Sequence, residues 1–141
     1  MKLGEIMDIA ASGLAAQRAR VAAASSNLAN VNTTRTPEGG PYRRRDPVFV
    51  TEPAAGPFGS ALGRAVRAVR VREVVVDSRA PLRRLDSGHP DADEQGYVSL
   101  PRVDVVSEIA NVLSASRSYE ANLVIIRKVR EMSEAARQIG R

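Results

Sequence analysis

The chain has 141 residues, of which 43% are apolar, and a formal net charge of +5 that comes mainly from Arg. It contains no Cys and one His, which excludes disulfides and thiolate chemistry and leaves a zinc site without its usual ligands. With two Phe, three Tyr and no Trp, the sequence predicts one small domain that is marginally stable as a monomer.

The N-terminal segment has the pattern of a long helix, predicted from Gly4 to Ala29, and its Ala-rich composition favours that structure. Asn27, Asn30 and Asn32 are predicted to end it. Many seam residues are small and bury little area, so we expect this helix to need partners and to be disordered until it is assembled. Its seam alternates steps of four and three residues, typical of a helix that packs along another helix: Leu3, Met7, Ala10, Leu14, Gln17, Val21, Ala24, Leu28 and Val31.

The middle of the chain predicts a loop and then a small antiparallel β module. Pro37, Gly39, Gly40 and Pro41 interrupt regular structure in a loop over residues 33–47. The β module is predicted over residues 48–100, with a second loop from Pro53 to Gly63. β-Branched residues predict a strand at Arg64–Asp77, and short strands are also predicted at Val48–Val50, Leu82–Leu85 and Tyr97–Leu100.

The C-terminal segment predicts a second long helix from about Val103 to Gln138, with Pro101 in its first turn. Its seam is Val105, Ile109, Val112, Ser116, Tyr119, Leu123 and Ile126. The fold class is therefore α+β. An N-terminal axial helix (1–32) and a C-terminal axial helix (101–141) pair as a coiled coil around an inserted β module. In that pair we expect Leu14, Val21 and Leu28 to pack against Leu123, Ile126 and their neighbours.

No group of residues predicts catalysis, a cofactor or a metal. His89 lies in a Gly- and Pro-containing turn, and there is no phosphate-binding Gly loop. The segment Asp91–Gly96 resembles the first half of a calcium-binding EF-hand loop, but Arg102 stands where the last carboxylate ligand is required. The sequence therefore indicates that the protein is not an enzyme.

The basic cluster from Tyr42 to Arg45 leaves one alternative open, an Arg-rich protein that binds nucleic acid or another polyanion. The scattered Arg residues are also typical of a GC-rich genome. A cleaved secretory signal is not expected, because Glu5 and Asp8 interrupt the apolar stretch that such a signal requires.

Two long motifs resemble the flagellar axial proteins, which include rod, hook and hook-associated subunits. The first runs from Ser26 to Thr34, at the end of the Ala-rich helix, and the second from Ser114 to Asn122. The Pro- and Gly-containing insertion that follows Thr34, and the segment from Gly88 to Val98, resemble the C-type branch of the proximal rod proteins of the basal body.

This resemblance implies a structural subunit that stacks helically with copies of itself and with other rod proteins into the periplasm-crossing drive shaft. It also implies export through the flagellar type III apparatus without a cleaved signal, and helices that line the export channel. No nucleic acid, small-molecule substrate or membrane insertion is expected. We expect subunit contacts at the helix seams and in the loop from Asn30 to Arg45, with this set of residues: Leu14, Val21, Leu28, Asn30, Thr34, Tyr42, Arg43, Arg44, Tyr119, Leu123 and Ile126.

Overall fold

A computed structural model describes residues 3–53 and 67–139 of the chain, with side chains to residue 138. Along the chain, four strands lie between two long helices, which confirms the α+β class. The elements are α1 (Leu3–Ala29), β1 (Arg45–Pro53), β2 (Arg67–Val76), β3 (Leu82–Leu85), β4 (Tyr97–Leu100) and α2 (Val105–Ile139). Apart from Pro53, the loop predicted from Pro53 to Gly63 lies outside the described residues.

The two helices pack side by side in antiparallel directions. Near the start of α1, Gly13 faces Asn122, and near its end Asn27 donates a hydrogen bond to Glu108, close to the start of α2. Gly13 permits a close approach, because a Cβ atom at this position would lie only 3.0 Å from Asn122 Nδ2. The predicted pairing of the chain ends is therefore correct.

The buried face of α2 differs from the predicted seam. Glu108, Ala115 and Val129 are its buried residues, spaced by multiples of seven, whereas Ile109 and Leu123 are exposed. The antiparallel direction also places Leu28 beside the start of α2, so the expected contact of Leu28 with Leu123 and Ile126 is wrong. The small residues of α1 lie closest to the neighbouring elements, because a narrow interface excludes larger side chains.

The four strands form two separate antiparallel hairpins, β1–β2 and β3–β4. β1 begins at Arg45 and is longer than predicted, while β3 and β4 have the predicted bounds. β2 ends at Val76, one residue before the predicted end, and residues 64–66 of its predicted start lie outside the described residues. The first hairpin packs on α1, where the Val69 amide donates a hydrogen bond to Ser12 Oγ at 3.1 Å. α1 therefore contacts α2 on one side and a hairpin on another.

The start of α2 is set by Asp104 and not by Pro101, which lies four residues before the first helical residue. The Asp104 carboxylate accepts hydrogen bonds from the amides of Val106 and Ser107, each at 3.3 Å, and from the Ser107 hydroxyl. The Ser107 hydroxyl and these backbone amides lower the pKa of Asp104. This is an N-cap, which satisfies amides that have no partner within the helix.

The hydrophobic core is small. Among the described residues, seven apolar side chains other than Pro are buried, and four of them are Ala. The buried set is Ala10, Ala16, Ala24, Tyr42, Val98, Ala115 and Val129. Because an Ala side chain buries little area, most large apolar residues remain partly or fully accessible.

Candidate assembly site

A buried polar cluster joins the end of α1, the loop and the start of α2. At its centre Asn27 is 1% exposed, and its amide nitrogen donates to Arg45 O at 2.8 Å and to Glu108 Oε2 at 3.2 Å. Its amide oxygen accepts from Tyr42 OH at 2.9 Å and from the Arg45 amide at 2.8 Å. Both donors of the Asn27 side chain and two acceptor positions are therefore used.

Glu108 contributes the one buried carboxylate among the described residues, at 1% exposure. Arg44 Nε donates to Glu108 Oε1 at 2.6 Å, and Arg44 also pairs with Asp46 at 2.9 Å. Burial alone would lower the pKa of Arg44, but the hydrogen bonds to Asp46 and Glu108 raise that pKa above its ordinary value. A buried carboxylate is tolerated only when it is paired in this way. The loop and α2 are therefore held together by charge.

The loop also contacts the second hairpin. Thr34 Oγ1 donates to Asp91 Oδ2 at 2.7 Å, and Arg35 lies 3.6 Å from the other oxygen of the same carboxylate. Inside the loop, the Tyr42 amide donates to Thr33 O at 3.0 Å, which closes a turn that contains Gly39 and Gly40 at positive φ. These bonds fix the loop on the body of the chain.

α2 presents an apolar surface that the rest of the described chain leaves uncovered. Val106 is 75% exposed and Leu113 is 56% exposed. The other exposed large apolar residues of this helix are Val105, Ile109, Leu123, Val124, Ile125 and Met132. Exposed apolar area of this extent on one helix is typical of a surface that other protein covers.

An open groove of about 420 Å³ runs between α1 and α2. Its lining is mainly apolar and comes from Val21, Ala22 and Tyr119, with Ser116. Arg18 on α1 and Glu120 on α2 complete the lining. The groove lies on the side of the helix pair where the large residues of the predicted seams are found, and Leu14 and Leu28 are likewise half-buried.

The structure separates the predicted contact residues into two groups. Leu14, Val21, Tyr119 and Ile126 are half-buried along the helix pair, and Leu123 is exposed. In the loop, Arg43 is exposed, whereas Arg44 forms the buried pair with Glu108. Arg44 therefore has partners within the chain, and its contact with a neighbouring subunit stays a prediction.

Three further predicted contact residues have partners within the chain. Tyr42 is 7% exposed inside the polar cluster. Asn30 caps α1, donating from Nδ2 to Ser26 O at 2.9 Å, and Thr34 bonds Asp91. Their contacts with neighbouring subunits stay a prediction.

Sequence reasoning missed Asn27 and Glu108 as central residues. Asn27 was predicted to end α1, but it lies inside that helix and bonds to three other parts of the chain. The signal for Glu108 was present, because Glu108, Ala115, Asn122 and Val129 repeat every seven residues. The neighbouring row, which contains Ile109 and Leu123, is more apolar, so hydrophobic periodicity alone predicts that row as the buried one.

No cluster of three or more metal-ligating side chains occurs within residues 3–53 and 67–139. Across the same ranges, neither helix is long and apolar enough to span a membrane.

Comparison with known proteins gives one consistent result. Residues 7–35 match the family model described as flagella basal body rod protein, and residues 94–139 match that of the flagellar basal body rod FlgEFG protein C-terminal region. The chain is 44% identical to the flagellar basal-body rod protein FlgC of Salmonella typhimurium, over 94% of this chain and 93% of that one. Identity to the proteins of the same name is 39% for Borreliella burgdorferi and 35% for Bacillus subtilis, each over 96% of both chains.

Proposed function

This chain belongs to the family of FlgC flagellar basal-body rod proteins, and we propose that it is a structural subunit of the proximal rod. In this proposal copies of the chain assemble helically with one another and with other rod proteins. The two axial helices form the inner layer around the export channel, and the β module lies outside them. The two sequence motifs at Ser26–Thr34 and Ser114–Asn122, which resemble the flagellar axial proteins, lead to the same family.

The observation that carries the proposal is the imbalance between buried and exposed apolar residues. Sixteen large apolar residues are exposed within the described ranges, against seven buried apolar residues of any size other than Pro. The exposed ones extend along α2 from Val105 to Met132, about 40 Å of helix, and they also occur on the strands. These surfaces have room for several neighbours, as a rod subunit requires.

The finer parts of the proposal follow from the family. Export through the flagellar type III apparatus in an unfolded state suits a small core held partly by polar contacts, because such a fold opens at low cost. Export without a cleaved signal and a final location in the periplasmic rod are part of the same proposal. The protein has no catalytic role in it. The polyanion-binding alternative is not favoured, because Arg44 is used within the fold and all three relatives are rod proteins.

Leu113→Asp tests the proposal in a host that lacks its own copy of the chain. Leu113 is 56% exposed, so a charge at this position costs the monomer little but prevents apolar contact with a neighbour. We expect normal amounts of protein, no swimming motility and no complete rods in isolated basal bodies. Leu28→Asp should have the same effect at the half-buried seam of α1.

Ser114→Asp is the matched control, because it adds the same charge to an exposed position one residue away. It should preserve motility. Complete rods and full motility with Leu113→Asp would contradict the assigned assembly surface. Normal motility in a host without any copy of the chain would contradict the rod function itself.

A further inference from the structure

We propose that two copies of this chain join through α2. The surface of α2 that faces away from α1 in one copy packs into the groove between α1 and α2 of the other. The contacting ridge consists of Val124, Ile125, Lys128 and Met132. The inference rests on the proposed rod function and names one contact by which copies join. It follows from the shape, the charge and the direction of two surfaces that the single chain leaves open.

The groove has the dimensions and spacing to accept a helix. Its volume is about 420 Å³, and its walls are the two long helices. On the α1 wall Val21 is half-buried, and beyond the groove Leu14 and Leu28 are half-buried seven residues to either side of it along α1. A wall of this kind offers holes for the side chains of a third helix, as in coiled-coil packing.

The ridge has the same spacing, and the described residues leave it uncovered. Ile125 is 44% exposed and Met132 is 52% exposed, and these two residues are seven positions apart. Val124, which is 50% exposed, lies beside them. Seven helical residues span about 10.5 Å, which is also the separation of Val21 from Leu14 and from Leu28 along α1. Ridge and wall can therefore interdigitate without a shift in register.

Charge favours a second copy of this chain as the occupant. The groove carries one residue of each sign, Arg18 and Glu120, on opposite walls. Both signs are also present at the ridge, since its Lys128 lies 2.8 Å from Glu131, which borders the ridge. A strongly acidic or strongly basic partner would leave one wall of the groove opposite a like charge, whereas a mixed ridge does not.

The direction of the two surfaces allows the contact to repeat. At about 100° per residue, Ile125 and Met132 point roughly 120° and 140° away from Tyr119, which lines the groove. A subunit can thus offer its ridge to one neighbour while its groove accepts the ridge of another. Contacts between two different surfaces generate rings or open helical polymers, whereas a surface that pairs with itself closes into a dimer.

Disulfide cross-linking tests this contact, and the chain is suited to it because it contains no Cys. Two variants, Val21→Cys in the groove and Ile125→Cys on the ridge, are produced together in a host that lacks the natural chain. Basal bodies are isolated and oxidised, and covalent dimers are measured on a non-reducing gel. The matched control replaces Ile125→Cys with Arg127→Cys, an exposed position two residues along that points roughly 160° away from Ile125.

We expect the Val21 and Ile125 pair to form at least tenfold more dimer than the control pair. Equal yields, or no dimer from basal bodies that contain both variants, would overturn the inference while the rod function stood. Absence of the chain from the basal bodies of motile cells would overturn the rod function and this contact together. Ile125→Asp adds a second readout, since it should abolish incorporation, and unchanged incorporation would also overturn the inference.

Discussion

Replacing Asn27 by Leu tests the role of the buried polar cluster. Leu has the same number and branching of side-chain heavy atoms as Asn, so the change removes the polar atoms and replaces them with two somewhat larger methyl groups. In the folded chain the Asn27 amide takes part in four hydrogen bonds, at distances from 2.8 to 3.2 Å. The cost of the substitution therefore depends on which partners are left without a bond.

Two of the partners keep another bond and two do not. Tyr42 OH remains 3.2 Å from Ser26 Oγ, and Glu108 retains its ion pair with Arg44. The amide and carbonyl of Arg45 lose the bonds that tie this end of β1 to α1. A buried polar group without a partner costs about 1–3 kcal/mol, so two partly buried groups give an expected loss of about 2–4 kcal/mol.

The free energy of unfolding is measured by urea titration, followed by circular dichroism at 222 nm. Trimethylamine N-oxide in the buffer strengthens the folded state, so that a folded baseline is reached for a marginal monomer. Asn32→Leu is the matched control, because Asn32 is exposed, and it should change the free energy by less than about 0.5 kcal/mol. A loss below about 1 kcal/mol for Asn27→Leu would show that the cluster does not join the helices and the loop.

Three further predictions concern single positions. Gln17→Leu should raise the free energy of unfolding by about 1–3 kcal/mol in the same titration, because the buried Gln17 Oε1 has no hydrogen-bond partner among the described residues; a lower stability would contradict this. Gly13→Leu should lower the free energy of unfolding by about 1–3 kcal/mol, because its Cβ atom would lie 3.0 Å from Asn122 and the rest of the side chain has no room. Gly13→Ala should cost less, since Ala gains about 1 kcal/mol of helix propensity. Equal effects of the two substitutions would refute the close approach. The pKa of Asp77 should be about 2 by NMR titration, because Arg79 hydrogen-bonds its carboxylate, and Arg79→Gln should return the pKa towards 3.8. Because this pKa is depressed in the folded chain, Asp77 contributes fully to stability above the pKa that its carboxyl has in the unfolded chain, and the contribution is lost as the pH falls towards 2. An unchanged pKa of Asp77 in the Arg79 variant would contradict the assigned cause.

The sequence by itself predicted the two long helices, both short strands of the second hairpin and the pairing of the chain ends. Helices and strands follow from local periodicity and residue type, which are visible in a single chain. The start of α2 lies a few residues after the predicted one, because Asp104 caps the helix and Pro101 lies before it. The family resemblance came from the motifs at Ser26–Thr34 and Ser114–Asn122, and the relatives confirm it.

Only the tertiary structure decided which face of each helix is buried. The row that contains Ile109 and Leu123 is the more apolar one, yet the row with Glu108 and Ala115 packs against α1. Hydrophobicity alone selected the apolar row because the sequence does not show that Arg44 and Asn27 neutralise and bind the Glu108 carboxylate across 64 and 81 residues. Close packing favours small or fully bonded side chains between two helices, so the larger apolar residues remain outside, on the surfaces that neighbouring subunits are proposed to cover.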